Sequence, residues 1–162
     1  MTSPTNEPPY NLDTEIALLG ACLRTPAEAL AAAEEVGLRT SDFYAERHGL
    51  VYDTIKYLHE RGAVDELAVI NELKARRKLT AAGGSGYIMS YDCPFTGNAR
   101  AYADEIVDQA ILRSMVETGA EITRLGMDHP DKVKTLVERC SGLTETMVRN
   151  SQRVNGVIGD AA

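Results

Sequence analysis

The segment Pro94–Arg113, PFTGNARAYADEIVDQAILR, decides the fold of this chain. Its first five residues are rich in helix breakers, and an uninterrupted helical pattern follows them. Apolar positions recur at helical steps through Tyr102 and Ile106 as far as Leu125. The pattern predicts a helix of roughly 28 residues, about 40 Å long and about twice the usual length. Such a helix needs a partner, either a second helix or another copy of the protein. The sequence therefore indicates a role in assembly rather than in catalysis.

A second apolar stripe follows a short turn at Asp128-His129-Pro130. Its members recur every three or four residues from Val133 to Met147, the geometry of helix-on-helix packing. Because the connection is short, the two helices are expected to be antiparallel. We therefore predict a helical hairpin over residues 98–150. The residues predicted for its seam and for self-association are Tyr102, Ile106, Leu112, Val116, Val133, Leu136, Cys140, Leu143 and Met147.

Residues 10–97 are predicted to form a globular head of about five or six shorter helices. Asn11 is a candidate N-cap for the first helix, and Asp65 for a later one. Thr25-Pro26-Ala27-Glu28 has the pattern of a capping box, opening a helix that ends at Gly37. No segment alternates with period two, so the predicted class is all-α: this head, then the long antiparallel hairpin. Residues 1–9 are predicted to be a flexible tail, and residues 151–162 a linker or disordered tail.

Composition excludes several classes of protein. The net charge of −7 and pI near 5.0 argue against binding nucleic acid by charge alone. The one basic run, Lys74 to Lys78, is either a solvated helix end or a contact for an acidic partner or a nucleic-acid backbone. Without a signal sequence or an apolar run of about 18 residues, the chain is expected to be cytoplasmic, with no membrane partner.

Candidate reactive groups are sparse. Gly83-Gly84-Ser85-Gly86 lacks the following Lys of a phosphate loop and is interpreted as a turn. None of the three histidines, His48 among them, has a partner at a metal-ligand spacing, so solvated or capping roles are expected. The acid pair Asp104-Glu105 is interpreted as a solvated face. The sequence thus predicts no catalytic, cofactor-binding or metal site.

The three cysteines are predicted to be structural or unremarkable. Cys22 and Cys140 fall on apolar stripes and are expected to be buried thiols. Cys93 lies beside Pro94 among helix breakers and is expected to be exposed. An odd, sparse count fits a reducing compartment.

The chain contains, in this order, PYNLDTE with the later LLG, DFYAERH, VD, GGSGYI and NARAYADEIVDQAILR. Together these five motifs resemble the N-terminal domain of DnaB-type replicative helicases. The run PYNLDTE from Pro9, with the later LLG, is similar to that family's P-x-N-[LI]-E-A-E and V-L-G. DFYAERH from Asp42 resembles D-F-Y-x-x-x-H, and VD at Val64 and GGSGYI at Gly83 have counterparts too. NARAYADEIVDQAILR from Asn98 resembles N-[IV]-x-x-Y-A-x-I-V-x-x-x-x-[LI]-R. The family-motif positions are Asn11, Phe43, Tyr44, His48, Asp65, Asn98 and Arg113.

The chain also departs from the family pattern. Tyr10 stands where His is common, Asp13 and Thr14 replace Glu and Ala, and Ala63 occupies the usual Pro position. The sequence contains no G-x-x-x-x-G-K-[ST]. The chain is therefore not expected to be an enzyme or to hold a cofactor. ATP and Mg would belong to the ATPase domain of a full-length helicase.

The resemblance implies a non-catalytic scaffold domain that acts in DNA replication. It implies self-association into dimers and a hexameric ring built as a trimer of dimers, forming the helicase collar. It further implies docking of DnaG-type primase, with a helicase loader as a further partner, and weak or no direct binding of nucleic acid. An alternative is a free-standing relative that regulates assembly of the helicase or its loader. A sequence-specific DNA-binding protein and a small enzyme fit less well.

Overall fold

The structure is a computed structural model that describes residues 7–152, and within that range the chain is helical and has no strand. The predicted all-α class is confirmed. In this described part of the chain, two 3-10 turns, Thr40–Asp42 and Thr96–Asn98, accompany seven α-helices. The helices are α1 Leu12–Arg24, α2 Pro26–Glu35, α3 Glu46–His59, α4 Glu66–Ala75, α5 Ser85–Met89, α6 Ala99–Asp128 and α7 Val133–Ser151.

The chain divides into two compact units within α6. One unit is Tyr10–Asp108, here called the head. The other comprises Gln109–Ala162 with Met1–Pro9, of which residues 7–9 and 109–152 are described. The predicted domain limits stay a prediction, and the predicted tails extend over residues 1–6 and 153–162, which lie outside the described residues.

Helix α1 forms the centre of the head. Its apolar face buries Leu18, Leu19 and Cys22, and it packs against α2 and α3. Close packing continues at Gly20, where an added Cβ would lie 2.9 Å from the carbonyl carbon of Asp92. Backbone this close leaves no room for a side chain, so a glycine is needed here.

Two of the three predicted helix caps are confirmed. The side chain of Asn11 accepts the backbone N–H of Thr14, and that of Asp65 accepts the N–H of Ala68. The capping box at Thr25 is wrong. Thr25 also ends α1, and its hydroxyl donates back to the carbonyl oxygen of Ala21 at 3.2 Å, so it does not cap α2.

Helices α2 and α4 both end at a residue with positive φ. Gly37 after α2 has φ 71°, as predicted. Arg77 occupies the same kind of position after α4, with φ 57°. There the N–H of Arg77 donates to Lys74 and that of Lys78 to Leu73, a Schellman end that favours glycine. A side chain in this conformation costs roughly 1 kcal/mol.

The predicted helical hairpin is confirmed. Helix α6 has 30 residues and α7 has 19. A groove of about 470 Å³ runs between them, lined by Ser114 and Glu121 on α6 and by Arg139 and Asn150 on α7, among others. The pKa of Glu121 is lowered, mainly by its hydrogen bond with Arg124 and in small part by the charge of Arg139 on α7. The middle of α7 therefore lies near the later part of α6. The two helices are therefore antiparallel.

Candidate assembly site

A buried carboxylate organises the head. Glu15 lies on the apolar face of α1, and only 2% of it is exposed. Its oxygens accept the backbone N–H groups of Tyr44 and Ala45 and pair with Nδ1 of His48. A buried charge without partners is costly. These contacts satisfy the carboxylate, and they also join α1 to the start of α3.

His48 carries this network on to α5. Its second ring nitrogen, Nε2, lies 2.7 Å from the hydroxyl of Tyr87, and the two rings are parallel. A hydroxyl can donate or accept, so Tyr87 satisfies His48 in either protonation state. The expectation that His48 is solvated or a cap is wrong, because its imidazole is fully buried against Glu15.

A second carboxylate ties the start of α1 to the first turns of α6. Glu105 accepts from Nδ2 of Asn11 at 2.7 Å and from the hydroxyl of Thr14 at 3.0 Å. Asn11 thus caps α1 with its oxygen and holds α6 with its nitrogen. The interpretation of Glu105 as a solvated residue is wrong, because it accepts hydrogen bonds from Asn11, the N-cap of α1, and from Thr14.

Burial also changes the acidity of several groups in the head. It raises the pKa of Cys22 to about 12, with a further contribution from Cys93. Burial raises the pKa of Tyr52 and of Tyr91 above the usual tyrosine range. Cys93 is itself buried, so the expectation that it is exposed is wrong.

The other family-motif positions contribute to folding in different ways. Phe43 is buried, with its ring centroid 5.1 Å from that of Tyr52. Tyr44 stacks on Tyr10 at 4.3 Å, with both rings partly exposed. Asp65 caps α4, and Asn98 is exposed in a 3-10 turn. In the hairpin unit, Arg113 donates to the carbonyl oxygen of Pro9 at 2.8 Å.

Asn11, Phe43, His48 and Asp65 thus have structural roles in the head. Among residues 7–152 no group of three or more His, Cys, Asp or Glu side chains could hold a metal ion.

The residues predicted for the hairpin seam fall into three environments. Tyr102 and Ile106 lie in the part of α6 that belongs to the head, the first half-buried and the second buried. On α7, four of the predicted side chains are half-buried, and two of them line the groove facing α6. These four are Leu136, Cys140, Leu143 and Met147. Cys140, expected to be buried, is therefore only half-buried.

The remaining predicted residues are exposed, and further apolar side chains extend their surface. Leu112, Val116 and Val133 are exposed, Val133 to 77%. The sequence-based prediction missed Met115 on α6 and Val137 on α7, which are also exposed, together with Val148. The sequence did contain a signal for two of these residues. Val137 and Val148 directly follow Leu136 and Met147 of the heptad-like stripe, so they widen its apolar surface.

The exposed apolar residues form one face on each hairpin helix. On α6, Leu112, Met115 and Val116 are spaced by three and one residues. On α7, Val133 and Val137 are one turn apart, and Val148 follows eleven residues later, close to three turns. We call these six residues the apolar faces of the hairpin.

Several charged residues of the hairpin pair with one another. A hydrogen bond from Arg124 lowers the pKa of Glu121, and Arg124 also contacts Asp128 at 3.3 Å. Arg139 contacts Asp131 at 3.3 Å. These pairs are solvent-exposed and add little stability. The apolar faces are thus the unusual feature of this surface, since adjoining exposed apolar side chains mark interaction sites.

Comparison with known proteins agrees with this architecture. The family described as DnaB-like helicase N terminal domain matches residues 7–108. The chain belongs to this family. In the crystal structure of the N-terminal domain of DnaB helicase from Mycobacterium tuberculosis, 32% of aligned residues are identical and the TM-score is 0.79. That match covers 86% of this chain and 99% of the other.

Two relatives show how this DnaB-family chain relates to longer proteins. The replicative DNA helicase DnaB of Leifsonia xyli subsp. xyli is 36% identical over 138 residues, covering 83% of this chain and 30% of the helicase. The replicative DNA helicase DnaC of Bacillus subtilis is 32% identical over 160 residues, covering 96% of this chain and 34% of the helicase. The chain thus spans about a third of these relatives. Within residues 7–152 no helix is long and apolar enough to cross a membrane.

Proposed function

We propose that this DnaB-type N-terminal domain is a non-catalytic scaffold that self-associates through its hairpin and docks primase during DNA replication. The observation that carries the proposal is the pair of apolar faces, with Val133 77% exposed and Val137 63% exposed. Removing such surface from water contributes about 25 cal/mol per Å². A stable interface between two copies generally needs about 800 Å² from each copy.

The side chains of α7 lie in two environments, which supports pairing of two copies while each copy keeps its own hairpin. The half-buried residues, such as Leu143, line the groove with α6, whereas Val133 and Val137 remain exposed. Contact within the hairpin and contact with a second copy therefore use different side chains. Dimers formed in this way would be the units of a hexameric collar, as a trimer of dimers.

The hairpin groove is the surface that we assign to primase. It combines apolar Leu143 and Met147 with the charged pair Glu121 and Arg139, which suits a partner with both apolar and charged side chains. A helicase loader is a further partner implied by the family. Catalysis, with its ATP and Mg, would reside in the ATPase domain of a longer helicase rather than in these residues.

The experiment that tests this function measures mass by light scattering during size-exclusion chromatography, with and without DnaG-type primase. We expect a dimer or larger ring alone, and co-elution with primase when it is added. Met147→Glu, which places a carboxylate in the groove, should weaken primase binding, whereas Thr135→Glu on an exposed part of α7 should not. A monomer that does not bind primase would contradict the proposal.

A further inference from the structure

A cleft of about 420 Å³ lies in the head between α2 and α3. It forms where α2 ends at Glu35 and the chain reverses at Gly37, whose φ is 71°. Because Gly37 lines the cleft and has no side chain, this end of the cleft stays open. Clefts of roughly 300–1,000 Å³ are typical of small-molecule sites. The proposed assembly function makes no use of this one.

One wall of the cleft is apolar. Leu30 on α2 and Leu38 after the turn both line it, and both are buried in the core of the head. Tyr52 on α3 lines it as well, and its ring packs on that of Phe43. This wall can therefore remove an apolar group of a ligand from water.

The hydroxyl of Tyr52 is a polar group without a partner in this cleft. Tyr52 is only 2% exposed, and its hydroxyl forms no hydrogen bond within residues 7–152. In the same range, the one fully buried side-chain oxygen or nitrogen without a partner belongs to Tyr91. The Tyr52 hydroxyl thus remains accessible from the cleft. Polar groups of buried residues generally have partners, so a partner for this hydroxyl is expected there.

Two opposite charges lie near this hydroxyl and do not pair with each other. The ammonium group of Lys56 lies 5.2 Å from the centre of the Tyr52 ring. Burial raises the pKa of Tyr52, and the charge of Glu34 adds to that shift, so this carboxylate is within electrostatic range of the ring. Lys56 and Glu34 both line the cleft, and neither forms an ion pair within the described part of the chain.

The neighbouring carboxylates have cations of their own. Glu60 also lines the cleft but contacts Arg61 at 3.6 Å. Glu35, next to Glu34 in sequence, pairs with Arg100 at 2.6 Å. The cleft therefore offers one unpaired ammonium group and one unpaired carboxylate, together with a hydroxyl and an apolar wall.

We propose that this cleft binds a free α-amino acid with a large apolar side chain. Lys56 and the Tyr52 hydroxyl hold the carboxylate of the ligand, Glu34 holds its ammonium group, and its side chain packs on the apolar wall. Glu34 repels a ligand that is only an anion, and Lys56 repels one that is only a cation. A zwitterion is therefore the class of ligand that this arrangement favours.

The test is a titration of the full 162-residue chain with L-phenylalanine, followed by saturation-transfer NMR. It is run at about pH 8, where a histidine is ordinarily neutral and does not add a cation beside Lys56. Two analogues each lack one charge: hydrocinnamate has no ammonium group, and phenethylamine has no carboxylate. We expect saturable binding of phenylalanine and about tenfold weaker binding of each analogue, because each loses a charge-assisted hydrogen bond. The inference is overturned if phenylalanine does not bind saturably, or if either analogue binds equally well.

Charge-removing variants assign each contact. Lys56→Gln should weaken phenylalanine binding about tenfold but should not weaken binding of phenethylamine, which has no carboxylate. Glu34→Gln should weaken phenylalanine binding in the same way but not that of hydrocinnamate. Glu35→Gln is the matched control for Glu34, because Glu35 is paired with Arg100, and it should leave phenylalanine binding unchanged. Equal effects of Glu34→Gln and Glu35→Gln would overturn the inference.

Tyr52→Phe separates a binding role of the hydroxyl from a structural one. Because this hydroxyl has no partner within residues 7–152, its removal should leave the melting temperature unchanged or raise it. Phenylalanine binding should weaken several-fold, since the ligand carboxylate loses a donor. A Tyr52→Phe protein that binds phenylalanine as tightly as the unaltered chain would overturn the inference.

Discussion

Glu15 on α1 pairs with Nδ1 of His48 on α3, 33 residues later, and neither residue is more than 2% exposed. The same imidazole reaches Tyr87 on α5 through its other nitrogen. One line of polar contacts therefore joins three helices of the head. Glu15, His48 and Tyr87 each fall within one of the short motifs that resemble the family, and this network holds the head together.

Removing Glu15 should destabilise the head strongly. Glu15→Ala leaves two backbone N–H groups and His48 without their acceptor in a buried site, so we expect a loss of about 3–5 kcal/mol in the free energy of unfolding. Chemical denaturation followed by circular dichroism measures this loss.

A milder substitution tests the far end of the same network. Tyr87→Phe removes only the hydroxyl that bonds to Nε2 of His48 and should cost about 1–3 kcal/mol. Tyr10→Phe, the same change at a ring that is 39% exposed, should cost less than about 0.5 kcal/mol. Equal losses for the two variants would show that the bond to His48 does not stabilise the head.

The close approach of α1 to Asp92 gives a second prediction. Gly20→Ala places a Cβ 2.9 Å from backbone that cannot move freely, so we expect a loss of about 1–3 kcal/mol. Gly86→Ala is the matched control, because Gly86 lies in α5 and an added Cβ meets nothing within 4 Å. That control should be neutral or stabilising by up to about 1 kcal/mol. A Gly20→Ala protein as stable as Gly86→Ala would contradict the packing described for α1.

Stability should decrease at alkaline pH. The pKa of Cys22 is raised from 9.0 to about 12 by burial, so the folded state binds this proton more tightly than the unfolded state. The stabilisation is complete below pH 9 and is lost as the pH rises toward 12. The raised pKa values of Tyr52 and Tyr91 act in the same direction. Each group contributes a slope of about 1.4 kcal/mol per pH unit in its window.

A cysteine variant isolates the Cys22 contribution. Cys22→Ala should reduce the slope of unfolding free energy against pH between about 9 and 11, whatever its effect at neutral pH. Cys140→Ala, at a half-buried position on α7, should leave that slope nearly unchanged. If Cys22→Ala had the same pH slope as the unaltered chain, the thiol would not be the group responsible.

The sequence predicted the features that depend on local pattern. Helical periodicity predicts the hairpin, and the caps at Asn11 and Asp65 follow from side chains that act within three residues. Thr25 shows the limit of this reasoning, because two helices meet there and its hydroxyl bonds to the first rather than the second.

Contacts between distant residues were not predictable in the same way. Glu15 and His48, or Asn11 and Glu105, become neighbours only once the helices have packed. One signal was available, since a carboxylate on the apolar face of α1 needs a buried partner. Periodicity also could not separate α7 side chains that face α6 from those, such as Val137, that remain exposed.

The central claim is that the exposed apolar faces of the hairpin join copies of this domain. The most direct test is light scattering of the full chain across a hundredfold range of concentration, for the unaltered protein and for Val137→Glu. A carboxylate at Val137 would be desolvated in an interface but remains hydrated in a monomer. Thr135→Glu adds the same charge at another exposed position of α7. We predict dimers or larger assemblies for the unaltered chain and Thr135→Glu, and a helical monomer for Val137→Glu. A monomer at every concentration, or an assembly unaffected by Val137→Glu, would contradict the claim.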